Sequence, residues 1–196
     1  MWQSRCASGV FNALGNMYND PKFKVSPDAD PYALCRKGKF DVIDAEACYS
    51  QMNTVASDLS GGDLQDMIDY SKVITNERFR IAALKEAVSY YVQMLKRRQQ
   101  QLSAADMNRC AELSQPYRDT CVQGLVGGVY EFGSPEKKVD EIIAVCGADD
   151  LASVLRGQCY GETVSLATYY FEPAVVNRLC QRIPEEGRAQ CALRVL

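Results

Sequence analysis

Nine cysteines and no histidine set the chemistry open to this chain. Eight of the cysteines fall into four local pairs, Cys35/Cys48, Cys110/Cys121, Cys146/Cys159 and Cys180/Cys191, with twelve, ten, twelve and ten residues between partners. Thiols at this density and regularity read as structural disulfides, which persist in oxidising compartments. Zinc is the competing use of four thiolates. Structural zinc sites bring their ligands in close twos, about two to four residues apart, and no Cys-x-x-Cys occurs here. The same absence removes a thioredoxin-like redox motif and a c-type haem attachment. Without histidine the usual general base, the Ser-His and Cys-His nucleophile pairs and most transition-metal sites are missing. Carboxylates remain: Asp28/Asp30, Asp149-Asp150 and Glu185-Glu186 could pair for acid–base work. Each pair is expected where a helix begins, and acids there stabilise the helix end without chemistry. Asp28-x-Asp30 lacks the remaining ligands of a calcium loop. Gly124, Gly127 and Gly128 lack the Lys-Ser/Thr and the preceding strand of a phosphate cradle, and are expected to permit close helix packing. The chain therefore reads as non-enzymatic, with no catalytic, cofactor-binding or metal-binding residues.

The elements that must bring these sulfurs together are helical. Aligned on the second cysteine of each pair, three stretches share an arginine three residues earlier: Tyr117-Arg118-Asp119-Thr120-Cys121, Leu155-Arg156-Gly157-Gln158-Cys159 and Gly187-Arg188-Ala189-Gln190-Cys191. Their second cysteines are 38 and 32 residues apart and their first cysteines 36 and 34, the periods of stacked helical hairpins. Each unit is expected to hold a short helix ending near the first cysteine, a turn, and a longer helix carrying the second cysteine in its early turns. Ser134-Pro135-Glu136-Lys137 supplies a cap, a proline at the first helical position and an early acid, ahead of the apolar stripe Val139, Ile142, Ile143 and Cys146. Pro173 and Pro184 open the two helices of the last unit. A bridge across such a turn requires α-carbons within about 7 Å.

Cys6 fits the same template, with Gly9 three residues on as Gly124 follows Cys121. In that register its partner would precede Met1, so a truncated first unit is expected; the alternatives are a free buried thiol and an intermolecular bridge. Pro21, Pro27 and Pro31 mark an extended connector, and Ser60-Gly61-Gly62-Asp63 a helix stop followed by a new cap. The longest helix is expected between Asn76 and Leu102, with Ile81, Leu84, Val88, Tyr91, Leu95 and Leu102 forming a seam that packs within its own chain rather than as an external coiled coil. Lys96-Arg97-Arg98 faces its negative pole. Three sections follow: 1–62, an N-terminal helical segment with a hairpin at 31–60; 63–102, a linker helix and the long amphipathic helix; and 103–196, the disulfide-paired hairpins. The fold class expected is all-α, stacked antiparallel hairpins, solenoid-like or an irregular bundle, clamped by local disulfides.

A chain of 196 residues owns a core without staples, and the net charge of -3 lacks the cationic field of a nucleic-acid binder. No stretch approaches a membrane span and no Asn-x-Ser/Thr acceptor occurs; Met1-Trp2-Gln3-Ser4-Arg5 does not read as a secretory signal, so the expectation is that a signal has been removed or that the chain is a piece of something larger. The cysteine pairs repeating near 36 residues from Ser103 to Leu196 resemble, over about half the chain, the Sel1 and tetratricopeptide class of helical repeats. That resemblance implies stacked hairpins and a surface for binding other proteins. The paired helices are also similar to twin-cysteine proteins of the mitochondrial intermembrane space, although here the pairs are local and sequential rather than nested. The function expected is an extracytoplasmic scaffold, periplasmic, cell-surface or secreted, that binds other protein subunits in a larger assembly. The mitochondrial intermembrane space is the alternative compartment. A carrier of an apolar ligand or pigment between helices is the second reading, and a carboxylate-based enzyme the third. Tyr90, Arg97, Arg98, Tyr169 and Tyr170 are the candidate contact residues, tyrosine being enriched at interface hot spots. The competing reading gives one ring of each tyrosine cluster to the core.

Overall fold

Short acids and hydroxyls set several of the helix starts. The structure is a computed structural model and describes residues 2–20, 22, 29–135 and 137–194. Asp41 accepts from the backbone N–H of Asp44 at 2.9 Å and Asp63 from that of Asp66 at 3.0 Å. Ser103 and Asp106 exchange reciprocal bonds in a capping box. In chain order the helices are α1 (Trp2–Asn19), α2 (Ala33–Lys37), α3 (Val42–Gln51), α4 (Asn53–Leu59), α5 (Leu64–Lys72), α6 (Glu77–Arg97), α7 (Ala104–Asn108), α8 (Tyr117–Phe132), α9 (Lys138–Cys146), α10 (Ser153–Tyr170), α11 (Pro173–Arg182) and α12 (Glu185–Arg194), with a 3-10 turn at Arg109–Glu112. Among the described residues there is no strand, and the fold is all-α. The chain divides into two compact units, Met1–Tyr91 and Val92–Leu196, the division falling inside α6.

In the first unit α1 packs on α3 and α4, and α2 on α3. Aromatic rings fill the joint: Phe11 meets Phe40 edge-on at 5.2 Å, and Tyr49 stacks on Phe79 at 5.3 Å. The break at Ser60-Gly61-Gly62-Asp63 stands where the sequence places it. Gly61 and Gly62 take left-handed φ of 61° and 81°, which lets the Gly62 N–H reach back to the Ser57 carbonyl and close α4. The Pro21–Pro31 connector, with Pro21, Pro27 and Asp28, lies mostly outside the described residues.

The second unit is built on a row in which α10 lies between α8 and α12, with α9 and α11 packed against α10. Proximity in this row is tight. A Cβ on Gly187 of α12 would come within 2.8 Å of the Tyr160 ring of α10, so the two helices approach at a position only glycine fits.

Several expectations drawn from the sequence are corrected. α9 begins at Lys138, later than the Ser134 cap implies; the Ser134 carbonyl instead accepts from the N–H groups of Lys137 and Lys138 and closes a turn ahead of the helix. Asp149 and Asp150 lie exposed in the turn before α10, whose first residue is Ser153, so they are not helix-start acids. The buried face of α6 is Ala83, Leu84, Ala87, Val88, Val92 and Leu95. Ile81 and Tyr91 are only half-buried, because small alanines rather than a strict heptad set the close face. Leu102 lies beyond the helix end. Lys96 and Arg97 stand in the last turn of α6 as expected, and Lys96 also pairs with Glu141 of α9, which accepts from the Leu102 N–H at 2.9 Å. One carboxylate thus ties the end of α6 and the start of the next segment to α9.

Candidate interaction surface

The sulfurs pair as four local bridges, Cys35–Cys48, Cys110–Cys121, Cys146–Cys159 and Cys180–Cys191, with α-carbons 5.6, 5.6, 5.6 and 5.8 Å apart. Each closes the turn between two helical elements, and four intrachain disulfides are those of a chain that folds in an oxidising compartment. Cys6 is free and exposed on α1, which removes the buried-thiol alternative.

The arginine that precedes three of the second cysteines has a structural task. Arg118 Nε donates to the Leu113 carbonyl and Arg188 Nε to the Ile183 carbonyl, both at 3.0 Å. Arg156 donates to Ala148 at 3.0 Å and to Leu151 at 3.4 Å. In all three an acceptor lies five residues before the arginine, and it belongs to an apolar residue buried under the turn: Leu113, Leu151 and Ile183. The guanidinium therefore supplies a side-chain donor to carbonyls of the turn. Counted from that apolar residue, the spacing to the arginine and the second cysteine is constant. The difference between the two loop lengths lies before it, since Cys110 and Cys180 precede it by three positions and Cys146 by five. The first pair keeps an aromatic residue at this place, Phe40, but has Ala45 where the arginine would stand. Replacing Arg156 with methionine should cost about 2 kcal/mol, the scale of a charge-assisted hydrogen bond. Chemical denaturation reads this directly.

Asn108 performs a similar service between two pairs. Its Nδ2 donates to the Asp150 carbonyl at 2.9 Å and its Oδ1 accepts from the Ala152 N–H at 2.8 Å, fixing the α9–α10 turn to the end of α7.

At the far end of α10 the structure assembles an aromatic cluster. Tyr130 is buried, donates its hydroxyl to the Thr163 carbonyl at 2.9 Å, and stacks on Tyr170 at 5.6 Å. Burial raises the Tyr130 pKa well above the usual phenol range, so it stays a neutral donor. Tyr169 meets Tyr170 edge-on at 5.2 Å. The Lys138 ammonium lies 5.0 to 5.6 Å from the rings of Tyr130, Tyr170 and Phe171 and donates to the Tyr130 carbonyl at 3.1 Å. Tyr130 and Lys138 anchor this corner. Tyr170 is 46% exposed and Tyr169 83% exposed, so of the expected contact residues these two stand open side by side. Tyr90 is half-buried on α6 in the first unit, and Arg97 and Arg98 are exposed at the end of α6. Nothing in the sequence marks Lys138 or Tyr130 as partners of the exposed pair; the 3.6-residue periodicity of α8 and α10 separates buried from open rings only once their packing is known.

Along the same helix, nearer its start, a cleft of about 400 Å³ opens between α10 and the first turn of α8. Asp119, Val154, Gly157, Gln158, Gly161 and Glu162 line it, and Gln115 at its edge donates to Asp119 at 2.8 Å. Val154 is 53% exposed. A Cβ on Gly157 would meet nothing within 4 Å. Glycine inside a helix costs about 1 kcal/mol relative to alanine, and no internal contact here requires it. Gly157→Ala should therefore stabilise the protein by about 1 kcal/mol, raising the melting midpoint by about 2 to 4 °C in a domain of this size.

The carboxylate pairs singled out for acid–base work are dispersed over the fold. Asp30 caps its own turn by accepting from the Tyr32 N–H at 2.9 Å and pairs with Arg36, while its expected companion Asp28 lies outside the described residues. The Glu186 side chain is also outside them. Among the described residues no group of three or more Cys, Asp or Glu side chains converges as a metal site. No helix among the described residues is long and apolar enough to cross a membrane. Comparison with protein-family profiles, with curated proteins and with solved structures found no match.

Proposed function

We propose that this chain is a non-enzymatic, extracytoplasmic scaffold that binds other protein subunits, as one segment or subunit of a larger assembly. The observation that carries the reading is the exposed pair Tyr169 and Tyr170 at the end of a disulfide-clamped helix, in which Tyr170 packs against buried Tyr130 and Lys138 and meets Tyr169 edge-on. Large amphipathic rings that are ordered before binding lose little freedom on docking, which is the property of an interface anchor. The shared arginine contacts favour treating the three C-terminal helix pairs as repeats of one unit, in keeping with the resemblance to the Sel1 and tetratricopeptide class. Repeats of this kind present a continuous binding surface. The compartment is the periplasm, the cell surface or the exterior, with the mitochondrial intermembrane space as the alternative.

The carrier reading has one feature in its favour. A cavity of about 170 Å³ in the first unit is lined by Tyr18, Pro31, Ala33, Leu34, Met52 and Val55, with the charged Asp30 and Lys37 beside them. It would take a group of benzene size, whereas ligand pockets usually run to about 300 Å³ or more. A photoreactive cross-linker placed at Tyr169 distinguishes the two readings in the native assembly. Cross-links to other protein subunits support the scaffold. A co-purifying small molecule, with no protein cross-linked from Tyr169, would replace it with the carrier.

A further inference from the structure

We infer that the Arg98–Gln99 peptide bond is a cleavage site for a trypsin-like serine endoprotease, and that the cut leaves a two-chain molecule whose parts stay together without a covalent link. Such an enzyme reads a base ahead of the bond it cuts, and it takes its substrate as extended, exposed chain. The sequence holds three runs of adjacent bases, Arg36-Lys37, Lys96-Arg97-Arg98 and Lys137-Lys138. The first ends α2, with Arg36 paired to Asp30, and the turn after it is occupied: Phe40 packs on Phe11 and Asp41 caps α3. The last runs straight into α9, with Lys138 held over three aromatic rings. After Arg98, by contrast, the backbone from Gln99 to Ser103 belongs to no helix. Arg97, Arg98, Gln99, Gln100 and Gln101 are all exposed.

The bond is closed in the resting fold and is opened by fraying of one helical turn. Gln99 ends α6 at a left-handed φ of 58°, and the Gln100 N–H reaches back to the Leu95 carbonyl at 2.8 Å. Glycine takes this conformation without a steric clash, whereas a glutamine there favours release of the cap. On either side of the cap one carboxylate holds the chain, since Glu141 binds both the Lys96 ammonium and the Leu102 N–H. Residues 97–101 thus form a short exposed excursion with both ends fixed, and its middle opens alone. Hydrolysis adds water across the bond, the hydroxyl going to the Arg98 carbonyl carbon and the hydrogen to the Gln99 nitrogen. The four bridges fall to one side of it or the other, Cys35–Cys48 before and the remaining three after, so none of them joins the products. Residues 92–98 nevertheless belong to the second compact unit, where Val92 and Leu95 are buried and Lys96 pairs with Glu141. The first fragment therefore keeps its last turns seated in that unit after the cut.

Brief digestion of the full oxidised chain with trypsin tests this, read by intact mass and by sequencing of the new amino terminus. The expected first products are residues 1–98 and 99–196, eluting together on gel filtration in native buffer and separating in urea with no reductant. Gln99→Gly, which suits the left-handed position, should slow this cut by roughly fivefold, because native-state proteolysis follows the population of the open form. Arg97→Gln combined with Arg98→Gln should abolish it, with circular dichroism checking that the helix content of both variants matches the parent. A first cut at Lys37, Lys39, Lys137 or any other place, or general degradation with no early cut, overturns the site. Fragments that part without urea overturn the two-chain product, and a Gln99→Gly variant cut as fast as the parent overturns the opening of the cap. None of these outcomes bears on the scaffold reading, which the cross-linker at Tyr169 tests separately.

Discussion

Changing Cys146 and Cys159 together to alanine should lower stability by about 3 kcal/mol, seen as a fall of the melting midpoint by about 6 to 12 °C. The bridge closes a loop of sequence separation 13, and removing it returns the freedom of that loop to the unfolded chain. Both sulfurs are fully buried, and the Thr163 hydroxyl lies 3.8 Å from Cys146 Sγ while donating to the Cys159 carbonyl at 2.7 Å. The same change at Cys180 and Cys191 should cost less, because Cys180 is only half-buried and fewer neighbours lose packing there. Differential scanning calorimetry on the two double variants gives the comparison. Equal midpoints for the Cys146/Cys159 variant and the parent chain would mean that this bridge does not hold the α9–α10 pair together.

The second large effect is expected at Glu141. Its side chain is 7% exposed and that of its partner Lys96 16% exposed. Removing one member of a buried ion pair strands the other charge, so Glu141→Ala should destabilise the second unit by about 3 to 5 kcal/mol. The double change Glu141→Ala with Lys96→Met should recover most of this, since no charge is then left buried. A remainder of about 1 to 3 kcal/mol belongs to the Leu102 N–H, which loses its acceptor in either variant. Urea denaturation of the two single variants and the double variant closes the cycle. Strict additivity would show that Lys96 and Glu141 do not interact.

What is legible in the sequence follows from local rules. Cysteine spacing places the hairpins of the second unit, Pro173 and Pro184 place the starts of α11 and α12, and Ser60-Gly61-Gly62-Asp63 places a helix boundary, because each acts over a single turn of backbone. The arginine before the second cysteine is visible as a pattern, but its partner is not. The acceptor is a carbonyl at a turn, and its marker in the sequence is an ordinary leucine or isoleucine five residues earlier, a residue type too common to stand out alone. The long helix shows the opposite failing. Its heptad spacing names Ile81 and Tyr91 as core, whereas Ala83 and Ala87 are the residues driven fully inside. Alanine is compatible with both faces of a helix, so only the neighbours decide. Lys96 does stand in the last turn of α6, but its ion partner is not readable: it is forty-five positions away in sequence, and no periodicity connects them.

Of the candidate surface, the tyrosines at 169 and 170 are readable as a pair and the cleft beside Gly157 is not. An exposed aromatic doublet announces itself by composition. A cleft is made by the distance between two helices, and the glycine that floors it has the same letter as Gly187, whose smallness lets α12 pack against Tyr160. The same residue type thus serves internal packing at one position and leaves open space at another.

The clamped-hairpin architecture is tested most directly by a peptide map of the unreduced protein, with any free thiol alkylated before digestion. Cross-linked peptides joining Cys35 to Cys48, Cys110 to Cys121, Cys146 to Cys159 and Cys180 to Cys191, with alkylation confined to Cys6, are the expected result. Alkylation of the paired cysteines, or bridges that skip from one hairpin to another, would contradict it.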